Sequence, residues 1–120
     1  MTLRLTPERV AATYECLCAF PPFSRMALPA PPQIEFRISR AIGHDALYTR
    51  YARTDRPILE VSERRVGYFD TLALCVAHEM IHLYQDKANT ETPGVQHNAE
   101  FVRIAKRVCR AFGWDPRQFL

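Results

Sequence analysis

The chain has 120 residues, 48% of them hydrophobic and 24% charged, with 16 Lys and Arg against 13 Asp and Glu. That length buries one small core and not two, so a single domain spanning residues 1–120 is expected. A net charge of +3 falls well short of the charge density of a dedicated nucleic-acid binder. No apolar run reaches the roughly 18 residues of a membrane helix. The opening "MTLRLTPERVAATYE" lacks the apolar centre of a signal peptide. A soluble, cytoplasmic protein with no membrane partner is expected.

In chain order, "LTPERVAATYECLCAF" offers Thr6 as an N-cap, Pro7 at the first helical position, and Val10, Tyr14 and Leu17 at helical spacing. It predicts a first helix. Five prolines between Pro21 and Pro32 then exclude both a helix and a central strand, leaving an ordered loop. "QIEFRIS" alternates Ile34, Phe36 and Ile38 with polar residues and predicts a half-buried strand. After a turn at Gly43 to Asp45, "ALYTRYAR" predicts a second strand. A turn at Asp55, Arg56 and Pro57 precedes a third, Ile58 to Glu63. Short connections imply an antiparallel or mixed meander. Two helices follow, Thr71 to about Lys87 and about Asn98 to Phe112, with Gly113 as the C-cap of the last.

Four cysteines, Cys16, Cys18, Cys75 and Cys109, are too few and too helical in setting for a disulfide framework, and they have no zinc-finger spacing. Reduced, mostly buried thiols are expected.

"LALCVAHEMIHLYQDK", Leu72 to Lys87, is apolar on every face except where His78, Glu79 and His82 interrupt it. Burying three titratable groups costs several kcal/mol unless something pairs with them. One turn apart, His78 and His82 share a helix face and can reach one ion at about 2.1 Å. Glu79 lies about 100° around the helix, close enough to touch a water at that ion. This His-Glu-x-x-His pattern gives two zinc ligands and one general base.

A catalytic zinc usually has a third protein ligand. Gln85 and Ala88 stand where the metzincin pattern requires Gly and His, which excludes that class. Downstream candidates are Glu91, His97 and Glu100. The last helix has an apolar stripe of Phe101, Ile104, Ala105, Val108, Cys109 and Phe112, opposite Arg103, Lys106, Arg107 and Arg110. His97 falls on or beside that stripe if helical geometry extends back one turn. His97 is preferred, because neutral imidazole suits a three-histidine site. Glu100 remains the alternative, or a partner in the outer shell.

"HEMIHLYQ" followed by "HNAEFVRIAKRV" resembles the SprT-like zinc metallopeptidase domain, the family that includes the Spartan proteases acting on DNA-protein crosslinks. The match covers roughly Ile58 to Trp114, with His78, Glu79, His82, His97 and Phe101 on the motif. Asn98 stands where the family usually has Gly, and no Cys-rich zinc ribbon follows the motif before Leu120. The resemblance implies a metallopeptidase acting on proteins or peptides, some of them DNA-associated.

The expectation is a zincin-like α+β domain: an N-terminal helix, a small three-stranded antiparallel or mixed sheet, the metal-binding helix, and the helix carrying the third ligand. Its activity would be peptide-bond hydrolysis by zinc-bound water, with Glu79 as base and His78, His82 and His97 holding zinc. The strand Ile58 to Ser62 is the candidate for pairing an extended substrate. The alternative is a non-catalytic, zinc-stabilised nucleic-acid-binding or scaffold module. The basic face of the last helix supports at most weak, salt-sensitive DNA binding. His44 reads as a surface residue. Tyr48, Tyr51 and Tyr84 read as core or rim packing, although each hydroxyl could serve an oxyanion.

Overall fold

Helix α1 (Pro7–Cys18) starts as its sequence dictates. The Thr6 hydroxyl accepts from the Arg9 N–H, and Pro7 takes a position where no N–H is needed. Val10, Tyr14 and Leu17 form its buried stripe. The proline-rich stretch that follows accommodates two short 3-10 turns, Phe23–Arg25 and Pro31–Gln33. Buried Phe23 pins it, as does Tyr14, whose hydroxyl donates to the Pro29 carbonyl at 2.6 Å. The structure, a computed structural model, describes residues 4–40, 42–43, 45–49 and 56–120. His44, Tyr51, Asp55 and the predicted strand positions 50–53 lie outside the described residues.

The strands are β1 (Glu35–Ser39), β2 (Ala46–Thr49) and β3 (Ile58–Ser62), in spatial order β1-β3-β2. β3 runs parallel to β1, with Glu35 opposite Ile58, and antiparallel to β2, with Tyr48 opposite Leu59. The expected meander is therefore wrong: the last strand inserts between the first two. Its composition explains the choice. Ile58, Leu59 and Val61 make a nearly continuous apolar run, which suits a strand covered on both sides. β1 is partly buried along its length with Arg37 exposed, as suits an edge strand.

Helix α2 (Phe69–Ala88) begins earlier than the expected Thr71 and ends at Asn89, which closes it in the left-handed region at φ 59°. It packs against α1, β2 and β3, so Val76, Ala77, Met80, Ile81 and Leu83 are wholly buried. Helix α3 (Ala99–Phe112) lies against α2. The Asn98 side chain caps it by accepting from the Phe101 N–H, and Gly113 ends it at φ 77°, a conformation that costs glycine nothing. Phe101, Ile104, Ala105, Val108 and Cys109 face inward, while Arg103, Lys106, Arg107 and Arg110 are exposed, as the periodicity predicts.

One element escapes the periodicity. Helix α4 (Pro116–Phe119) is a single turn, capped by Asp115 and anchored by buried Phe119 against α2 and α3. All four thiols are free, but only Cys75 and Cys109 are buried. Cys16 is exposed, because Tyr14 and Leu17 take the inner face of α1. Among the described residues no helix is long and apolar enough to cross a membrane.

Candidate metal centre

His78 and His82 stand one turn apart on α2, and His97 arrives from the loop between α2 and α3. One ring nitrogen from each lies within 4.8 Å of the other two, close enough for the three to bind one metal ion. Two nitrogens bound to tetrahedral zinc at about 2.1 Å would sit about 3.4 Å apart.

The rings are held from behind. His78 Nδ1 is 2.8 Å from the Phe119 carbonyl, which can only accept. Nδ1 therefore carries the proton, and the Nε2 lone pair is left for a metal. The His97 ring stacks on Phe101 at 4.3 Å with an 11° interplanar angle, and the His82 ring contacts the same phenyl at 4.6 Å. Phe101 is fully buried and so serves as a fixed backing for two of the three imidazoles. His97 is not helical: Asn98 is already extended, so the expected extension of α3 back by one turn does not occur. Stacking on Phe101 brings His97 inward instead.

Glu79 lies beside this cluster. Its Oε2 is 3.9 Å from His78 Nε2, the nitrogen left for a metal. The main-chain N–H of Tyr48, on β2, donates to its carboxylate. Tyr48 is itself anchored by its hydroxyl, which donates to Asp86 on α2. A cleft of about 840 Å³ opens over the group, walled by Ala46 and Tyr48, the three histidines, Glu79, loop residues 91–97 and Leu120.

Burial dominates the electrostatics. It pushes the Glu79 carboxyl up to about 7, an effect the Tyr48 N–H partly offsets. Burial also takes His82 down to about 4, with His78 and His97 adding to the shift. His78 is lowered by burial despite its bond to Phe119, and His97 is lowered by burial too. Three neutral imidazoles result, which is the protonation state a metal requires.

The other sequence candidates separate cleanly. Glu91 is exposed on the rim of the cleft and outside the histidine cluster. Glu100 turns away, accepting from the Gln85 amide at 2.9 Å and facing Arg103 at 3.9 Å. Tyr84 packs against the core, and Tyr48 lines the cleft. β3 cannot pair a substrate, since β1 and β2 occupy both its edges; β2 is the sheet edge that reaches the cleft. Three contributors were not foreseen: the Tyr48 N–H, the Phe119 carbonyl and the Gln85 side chain.

No family model matches the chain, and no curated protein matches it. The donor set itself is informative. Three neutral histidines suit zinc as well as copper, iron or nickel, and exclude magnesium and calcium, which take oxygen ligands. A proton-accepting carboxylate beside such a set is superfluous in a purely structural site, where zinc is normally closed by four protein ligands.

Proposed function

We propose that this chain is a zincin-like, zinc-dependent peptidase of the SprT-like kind, with His78, His82 and His97 as ligands and Glu79 as general base. The observation that carries the reading is the placement of the Glu79 carboxylate 3.9 Å from His78 Nε2, beside three converging imidazoles in one cleft. Zinc bound there would supply Lewis acidity, polarising a carbonyl and acidifying water.

The chain's own groups do the rest. Glu79 takes a proton from the attacking water and hands it to the amine nitrogen as the C–N bond breaks. The Tyr48 N–H keeps that carboxylate aimed while it cycles between its two forms. The Phe119 carbonyl fixes His78 in the tautomer that leaves Nε2 as donor. An extended peptide pairs with β2, the sheet edge at the cleft, where main-chain hydrogen bonds align its scissile carbonyl.

The test is Glu79→Gln. This variant should keep its zinc and its Tm while hydrolysis of an unstructured protein such as casein falls by about 100-fold or more, since a general base contributes roughly 10²- to 10⁴-fold. Full turnover in zinc-loaded Glu79→Gln would sink the mechanism. A zinc-loaded wild type inert towards proteins and peptides would favour a scaffold module instead.

A further inference from the structure

Gln85 is 1% exposed, on a helix whose other buried side chains are apolar except Glu79. Burying an amide is unfavourable unless its hydrogens find partners. Both do: the amide nitrogen donates one hydrogen to Asn98 Oδ1 and one to Glu100 Oε1, each at 2.9 Å. Asn98 Oδ1 also accepts from the Phe101 N–H at 2.9 Å. The Asn98 amide nitrogen donates to the Thr90 carbonyl and the Thr92 hydroxyl, both at 3.0 Å.

The Gln85 side chain thus ties the return of the loop to the first turn of α3, and Asn98 carries the network on to the start of the loop at Thr90 and Thr92. His97 sits directly before Asn98, and the phenyl it stacks on belongs to Phe101, whose N–H is part of the same network. We propose that Gln85 is a positioning residue that presents His97 to the metal. Its amide hydrogens go to Asn98 and Glu100, and through them it acts on His97 from the wall of the cleft. A methionine would fill the same space and keep the helix, but it would leave the loop free to carry His97 away from His78 and His82. The inference rests on the zinc reading given above.

The test compares wild type, Gln85→Met and Asn98→Ser. Asn98→Ser retains an oxygen able to cap α3 but cannot span to Thr90, Thr92 and Gln85. Zinc affinity is measured by competition with a chromogenic chelator. The visible spectrum of cobalt-loaded protein is recorded, together with the Tm of each metal-free chain. Both variants should bind zinc about 10- to 100-fold more weakly, the usual range for an outer-shell change. Their cobalt spectra should weaken in the tetrahedral bands, and metal-free Asn98→Ser should still fold. If Gln85→Met is too unstable to assay, Asn98→Ser decides. Variants with lowered metal-free Tm but wild-type zinc affinity and cobalt spectrum would make the network merely structural and overturn the proposal. A wild type that binds no zinc would instead sink the metal reading, and this inference with it.

Discussion

Helix α2 and the loop after it supply parts of one site by different means. On α2, His78 and His82 converge because a helix repeats every 3.6 residues, and no distant contact is needed to put them on one face. His97 has no such rule behind it. It stands outside α3, and its place depends on the Phe101 ring, the Asn98 cap and the Gln85 amide, which come from two helices. A pair of histidines can be brought together locally, whereas the third member of the cluster is placed by tertiary contacts.

The sharpest way to break that contrast is to remove one ligand of each kind. A fully formed zinc site binds with on the order of 10 kcal/mol, so losing one of three ligands forfeits a large share. Zinc retained after buffer exchange, read by atomic absorption, should fall close to nothing in both His82→Ala and His97→Ala. Glu100→Ala should keep most of its metal, because that carboxylate faces Gln85 and Arg103. Zinc that survives His97→Ala but is lost in Glu100→Ala would transfer the third ligand from the loop to α3.

The same contrast explains what could be read in advance. Helices α1 and α3 follow from apolar spacing and cap residues, α2 from its apolar run alone, and the His-Glu-x-x-His pattern fixes its own geometry once α2 is granted. β3 belongs in the middle of the sheet, and its run of Ile58, Leu59 and Val61 carried that information, but short connections suggested a meander instead. The Tyr48 N–H and the Phe119 carbonyl left no trace in side-chain chemistry, because almost every residue offers such groups. α4 is one turn long and has no period to detect. Gln85 was legible in principle, as a polar residue at an inward position of an apolar helix. Its role depends on partners that only the fold brings near.

Phe101 joins the two regions, since it belongs to the apolar stripe of α3 and also backs the rings of His82 and His97. Phe101→Ala should destabilise the metal-free chain by about 3–5 kcal/mol in urea denaturation, as truncation of a buried phenyl does. Phe112→Ala, at the half-buried far end of the same helix, should cost less and leave zinc affinity unchanged. If the two variants lose zinc affinity equally, the phenyl backing is not what orders His97.

The smallest effect gives the most direct separation of local from tertiary encoding. Thr6 and Asn98 are both N-caps whose side chains accept from a main-chain N–H three residues on, Thr6 at 3.2 Å and Asn98 at 2.9 Å. Replacing either by Ala removes one such bond, worth about 1 kcal/mol, and Asn98→Ala should cost more because it also leaves a buried Gln85 amide hydrogen unpaired. The two substitutions should also diverge at the metal. Thr6 caps α1, which carries none of the three histidines, so Thr6→Ala should bind zinc like wild type. Asn98 also ties α3 to Thr90, Thr92 and Gln85, so Asn98→Ala should weaken zinc beyond what its loss of metal-free stability accounts for. Chelator competition and metal-free denaturation, run side by side, give both numbers. Equal stability losses with equal, wild-type zinc affinities would mean that the loop holds His97 without its cap, and the division between a local pair and a tertiary third ligand would then be wrong.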